Sequence, residues 1–522
     1  MKKSIVALSA ALVAGAAHAV IVQPDVNDAV ATTMAPVEQG GIGHVLVTPY
    51  FSTANGNTTL LSLVNTDSVN GKAVKVRFRG AANSDDILDF TVLMSPSDVW
   101  TASVERGPDG ISRIIANDTT CVLPWQLVNG NDNSFRTTRL DDFTPLSPEA
   151  MAMHTQEGYV EFLNMADITQ TTSPVYKATK HVNNKAPCTQ DVMNMLMSTE
   201  VIDKAEAKKR GLENPTGGLF GNWSIFNNNN ITSYGGGHAS VAAVDATGAR
   251  AAGRLFFSPQ ADVVITNTTT VEENTADPLL NVTGSATVPA VTPLWLDLPD
   301  LSTPYVKTDT MDPAIRADAL SDSLAATTVM NEFVATAAGA SVPFSTDWVF
   351  SQPTRRYAVA MNYATGTPIY REEPGNLAST TAHYTTRNII TVRNAMANGV
   401  NVGNLLCVPG QLSGFNREEG NAVGNLSPAP SFRICGEVGT LTFNDTASRV
   451  LNAQLTNGRV SIEQGSPRTV VQAGWASIAV SDAQTTAVGV PVLGFAATSF
   501  ANGQTGGNFG DAINHRYFRP AP

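Results

Sequence analysis

The sequence predicts a mainly β protein, built from antiparallel β-sandwich domains of Ig-like or jelly-roll-like kind with two helical segments inserted. Three observations predict it. Gly 41 and Pro 29 in 522 residues, set among runs of Thr, Asn, Ser, Ala and Val, favour many short strands joined by turns. Apolar and polar residues alternate over several windows with the period of a strand. Asn-Gly pairs stand between those windows, and Asn-Gly adopts the positive φ angles of a tight reversal at little cost.

The elements follow in chain order. Lys2 and Lys3, an apolar run from Ser4 to Ala17 and the small-x-small triplet Ala17-His18-Ala19 read as a signal peptide cut after Ala19. The run is too short to persist as a spanning helix, so the expected mature chain starts at Val20 and is exported. Val45 to Phe51, Thr59 to Val64 and Ala73 to Arg79 read as consecutive antiparallel strands, separated by Asn55-Gly56 and Asn70-Gly71. In the third, Val74, Val76 and Phe78 alternate with Lys75, Arg77 and Arg79, which predicts one dry face and one wet, cationic face. Leu88, Phe90, Val92 and Met94 repeat the pattern before Pro96.

Asp191 to Arg210 lacks strand alternation and reads as a helix, with Lys208, Lys209 and Arg210 at its negative end and Gly211 as its cap. A second helix is expected from about Asp312-Pro313 to Phe333, Pro313 sitting in its first turn. Ala239 to Val244, Asp262 to Asn267, Thr440 to Phe443 and Ala453 to Ile462 return to strand chemistry. Gly158-Tyr159-Val160-Glu161-Phe162 and Gly474-Trp475-Ala476-Ser477-Ile478 echo each other as candidate core strands of two related sandwiches. Asn267 to Ser302, rich in Thr, Pro and Ala, reads as a linker. The expected organisation is therefore a signal peptide (1–19), an N-terminal β-sandwich domain (20–300) with a helical insertion near 190–211, and a C-terminal β-rich domain (301–522).

Formal charge is −12, and two units more negative once Lys2 and Lys3 leave with the leader. Such a surface repels nucleic acid and anionic headgroups. Four cysteines, Cys121, Cys188, Cys407 and Cys435, read as disulfides in an exported chain, with local pairing of the early two and the late two preferred. No CxxC or HxxxH spacing supports zinc instead.

The chemistry-bearing residues are scattered. His44, His154, His181, His238, His383 and His515 form no metalloprotease motif, and no G-x-S-x-G elbow is present. Gly235-Gly236-Gly237-His238 reads as a turn before a strand. Asp85-Asp86, Asp141-Asp142, Glu372-Glu373 and Glu418-Glu419 are adjacent acids, and neighbours on a strand point to opposite faces, which is poor geometry for the paired carboxylates of a glycosidase. No catalytic or cofactor-binding residue is assigned, and no cofactor is required. Calcium is the one metal the sequence offers ligands for, through Asn129 to Asp132 with Asp141-Asp142, although no EF-hand spacing is present. Trp100, Trp348 and Trp475 are the expected core anchors, with Asp98 or Asp347 bonding a turn beside two of them.

Several strings resemble a poorly characterised family of secreted Gram-negative cell-surface or surface-layer proteins. They are Val47 to Phe51 with Asn65-Thr66, Val74 to Gly80, Leu88 to Phe90, Ser95 to Ala102, Val329 to Phe333, Thr346 to Val349, Pro353 to Tyr357, Gly489 to Ala496 and His515 to Tyr517. The resemblance implies a structural or cell-surface role and brings no catalytic residues. The leading expectation is an exported, non-enzymatic cell-surface protein, a surface-layer or sheath subunit that associates with itself or with other envelope components. An adhesin or carbohydrate-binding module using Trp125 or Trp223 to hold a glycan is the second class, and a secreted hydrolase the third. No transmembrane segment is expected.

Overall fold

The structure is a computed structural model. It describes residues 21–22, 28–124, 127, 133–141, 147–198, 200–259, 275–277, 297–303, 305–307, 313–336, 340–357, 359–362, 367–370, 396–400, 403–418, 421–422, 432–445, 447–454, 457–480, 489–502 and 507–519. The expected leader, the 262–267 strand, Trp125, His383, the 372–373 acids and the loop at 129–132 lie outside these residues.

The fold is mainly β, with antiparallel sheets arranged as sandwiches. In the first sheet the strand order is Cys121–Leu123, Asp86–Met94, Gly71–Gly80, Glu157–Ile168, Val45–Ser52, Ala239–Val241 and Glu38–Gln39. The second runs Thr232–Gly237, Asn222–Asn227, Asn57–Asn65, Val99–Arg106 and Ser112–Ile115. Val74, Val76, Phe78, Phe90 and Phe162 from the first meet Leu61, Leu63, Trp100, Val104 and Ile225 from the second in one core. Trp100 is buried against Phe90, ring centroids 5.8 Å apart.

Two more sheets follow. The third runs Asn457–Val460, Val438–Phe443, Phe344–Ser351, Leu493–Asn502 and Gly507–Asn514, and the fourth Met396–Val400, Gly403–Asn416, Ala473–Ala479, Thr328–Val334 and Arg516–Phe518. Trp348, Phe350, Leu441, Phe443 and Ala496 of the third sheet pack on Val329, Phe333, Ala476 and Ile478 of the fourth. The alternate residues Val349, Val438, Leu493, Phe495 and Ala497 join the core of the first two sheets. The central strands of the third sheet are thus dry on both faces, which is why Trp348-Val349-Phe350 and Phe495-Ala496-Ala497 read as unbroken apolar runs. Trp223 and Phe495 meet across that boundary with centroids 4.5 Å apart.

Strand geometry corrects several expectations. Asn55 and Gly56 do take positive φ (49° and 88°), but the strands they join lie in different sheets, so the reversal is an arch and not a hairpin. At 67–71 the turn is made by the Asp67 carboxylate, which accepts from the amides of Val69 and Asn70. A turn dipeptide sets where the chain reverses, not which strand it pairs with.

The helix expected over 191–210 is two helices, Gln190–Leu196 and Lys204–Arg210. Between them the β-branched pair Val201–Ile202 runs parallel to Ile21–Val22, and Asp203 caps the second helix through the Glu206 amide. Gly211 closes it with φ 95°, as the sequence predicts. The helix expected to reach Phe333 ends at Leu324, because Thr328–Val334 pairs with Ala473–Ala479 instead. The described parts of the expected linker, 275–277 and 297–302, are buried against the first sheet.

Cys121 and Cys188 form the expected local disulfide, with Cα atoms 5.4 Å apart. Cys435 is also disulfide-bonded, and its register partner is Cys407. The first bond closes a 67-residue separation, so a C121S/C188S variant is expected to lose about 4 kcal/mol. An unfolding free energy from urea titration, extrapolated to water, that does not fall contradicts this.

Candidate functional site

Two features stand out once the sheets are assembled: a buried ionic row and an exposed aromatic face. The row lies on the side of the first sheet that the sequence predicts to be wet. Lys75, Arg77 and Arg79 are instead buried, Arg77 at 0% exposure. In register across three strands stand Asp89, Arg77 and Glu161. Arg77 pairs with Asp86 and lies 3.8 Å from Asp89, Lys75 pairs with Asp89, and Arg79 reaches Glu161 at 3.2 Å. The carbonyls of Pro259 and Pro299, on the segments that cover this face, accept from Lys75 (3.0 Å) and Arg77 (3.1 Å).

Burial works against each charge here. Desolvation lowers the Lys75 pKa despite Asp89, and it raises that of Glu161 despite Arg79. For Arg77 the carboxylates of Asp86 and Asp89 outweigh desolvation, and its pKa moves up. The signal for the row was present as acids at the outward positions of the neighbouring strands, Asp89 and Glu161. Only the register brings those acids opposite the cations.

The same network ties the halves together. Arg356 pairs with Asp277 and with Asp85 (3.0 Å), and donates to the Asn83 carbonyl. Arg355 pairs with Glu437 at 3.2 Å, while the Glu437 amide donates to Ala81 O. Tyr50 Oη donates to Glu157, which also accepts from the Gln454 amide. Two cavities beside this face, lined in part by Leu163, Asp300 and Tyr305, measure about 20 and 10 Å³. Those volumes suit a water molecule, not a metabolite.

The tryptophans divide differently from expectation. Trp348 is a core anchor: its ring packs on Phe443 (4.9 Å), and Nε1 donates to Glu332 O at 3.0 Å. Thr346 Oγ1 similarly bonds both the amide and carbonyl of Val334, so side chains of the third sheet satisfy backbone groups of the Thr328–Val334 strand. Asp347 accepts from Thr442, Ser448 and the amides of Val450 and Leu451, and Asp98 accepts from Ser95 N and Val99 N, the turn-bonding expected of both. Trp223, expected as a glycan-binding loop aromatic, is 1% exposed in the core.

Trp475 is the opposite correction. It is 41% exposed, not a core anchor, and stacks on Phe415 with centroids 4.1 Å apart and planes 12° apart. Its strand could have been phased: Ala476 and Ile478 point inward, which turns Trp475 outward with Ser477. The echo with Gly158-Tyr159 rests on the glycines. A Cβ at Gly158 or Gly474 would lie 1.8 Å from a neighbouring strand's carbonyl, of Arg79 or Phe415.

Around Trp475 the outer face of the fourth sheet is laid out by register. Phe415, Trp475 and Glu332 form one row, then Ser413, Ser477, Met330 and Arg516, and Phe518 lies opposite Thr328 two positions beyond Met330. Phe518 is 62% exposed.

His44, His238 and His515 are each buried and each bonded, His238 to Thr48 and Ser62 O, His515 to Val349 O. Among the described residues, no group of three or more His, Cys, Asp or Glu side chains is placed to hold a metal ion, and no helix is long and apolar enough to cross a membrane. No family model, curated protein or solved structure matches the chain.

Proposed function

We propose that this is an exported, non-enzymatic cell-surface protein that serves as a structural subunit of the envelope surface, as in a surface layer or sheath. The observation that carries this reading is the third sheet, whose central strands are buried on both faces between two cores and braced by Arg355 and Arg356. Such a block resists relative motion of its halves, which suits a load-bearing unit in contact with neighbours. The leader, the acidic charge and the surface-layer-like strings support the same reading.

Fractionation and electron microscopy test it. The protein is expected in the envelope fraction, and washed cells are expected to carry a patterned coat that disappears when the gene is deleted. Abundant protein in the cytosol with its leader intact, or a smooth envelope despite abundant surface protein, rules the reading out. Exposure of the Trp475 and Phe518 face favours a second role in binding a ligand.

A further inference from the structure

We propose that the outer face of the fourth sheet, centred on Trp475, binds a neutral envelope polysaccharide. The inference rests on the surface reading for the source of that sugar, while the binding itself belongs to the face.

Apolar area is held in water here. Of the four described tryptophans, Trp100, Trp223 and Trp348 are buried, and only Trp475 meets solvent. Phe415 stacks behind it and fixes the plane of the indole, so the ring loses little freedom when a ligand lands on it. A pyranose offers a ring face of C–H groups that fits an aromatic plane, with hydroxyls at its edge that need polar partners. Those partners stand in the neighbouring register positions: the Glu332 carboxylate on one side, and the Ser413 and Ser477 hydroxyls in the next row. Aromatic body and polar rim are the composition of a recognition surface.

The layout favours a chain over a single sugar. Phe518 lies four residues along and two strands across from Trp475, about 13 Å by 10 Å from strand geometry. Between them run Met330, Ser477 and Arg516. A sheet face carrying separated aromatic side chains fits an extended polymer laid over several residues.

Charge selects the class. The chain as a whole is −12, which disfavours an anionic polymer. The face itself is nearly balanced, Glu332 against Arg516, so a cationic partner gains nothing there. A neutral polysaccharide meets no electrostatic penalty.

The test uses purified mature protein with soluble β-glucan, xylan and galactomannan, in affinity electrophoresis and titration calorimetry. At least one polysaccharide is expected to retard the protein saturably. Trp475→Ala should weaken that binding about ten-fold or more, Trp475→Phe should retain part of it, and Phe518→Ala should weaken it less. Unchanged thermal unfolding of these surface variants shows that the fold is intact. Retardation that survives W475A and F518A together overturns the proposal, as does absence of retardation by all three polymers. A W475A variant that alters sedimentation as a dimer, with no effect on sugar binding, assigns the face to a second copy and overturns it too. Localisation plays no part in these measurements, so a failure here leaves the surface reading standing, and a cytosolic location leaves the binding result standing.

Discussion

Replacing Arg77 by methionine is expected to lower stability by about 3–5 kcal/mol, the cost of leaving buried carboxylates without their cation. Arg77 is wholly buried between Asp89 and Glu161 in register, with Asp86 as its direct ion partner. Methionine fills much of the same volume, so the loss reports charge more than packing. The carboxylates of Asp86 and Asp89 would then lean on Lys75, whose own charge is already disfavoured by burial, and Asp86 also on Arg79. Adding Asp86→Asn should recover a substantial part of the loss, because a neutral pair no longer carries an unbalanced charge. Chemical denaturation of the two single variants and the double variant gives the coupling between them. An R77M loss below about 1 kcal/mol, or no recovery in the double variant, would show that the row is solvated and the cover over it loose.

Acidification is expected to destabilise the protein through His44, His238 and His515. Burial is the main cause in each case and lowers their pKa values to about 3, 4 and 3. For His44, the nearby Lys72 adds to the effect. With folded values below the unfolded value of 6.5, the unfolded chain binds more protons throughout the window between them, so stability is full above pH 6.5 and falls as pH drops toward 4 and 3. Each histidine should cost about 2 kcal/mol by about pH 5, roughly 6 kcal/mol for the three.

Glu161, Glu437 and Asp347 act with the opposite sign. Burial raises their folded pKa values, so their contribution is present below the unfolded carboxyl value and is lost as pH rises through the folded one. The decisive reading is therefore the difference between proteins, not the whole curve. A His238→Gln variant should lose about 2 kcal/mol of the stability change between about pH 7.5 and pH 5. Parallel pH profiles for the variant and the parent would mean that His238 titrates normally and that its bonds to Thr48 and Ser62 are open to water.

The candidate sites were legible to different degrees. Asp98, which bonds the amides of Ser95 and Val99, could be read locally, whereas Asp347 bonds a segment 95 to 104 residues further on, and the early cysteine pair was a preference among the possible pairings. The cation strand was read with the correct alternation and the wrong solvent. Lys75, Arg77 and Arg79 do share a face, yet that face is covered by segments up to 222 residues away in sequence, such as Pro299 over Arg77. No period of two can report a lid from so far along the chain. Trp475 failed for a simpler reason: a large aromatic was read as core although its own alternation with Ala476 and Ile478 turned it outward.

By itself the sequence determined that this chain folds as antiparallel β-sandwiches, where several of its strands lie and that Gly211 closes a helix; it only favoured local pairing of Cys121 with Cys188. Those properties depend on backbone preference and side-chain period, which act over a few residues. Tertiary structure alone decided that the Asn55-Gly56 reversal passes between sheets, that the third sheet is shared by two cores, that the cationic face is dry and matched by acids, and that Trp475 faces water. Each of these depends on which distant strand supplies the neighbour, and pairing partners are chosen by the summed burial of whole sheets, not by any local segment.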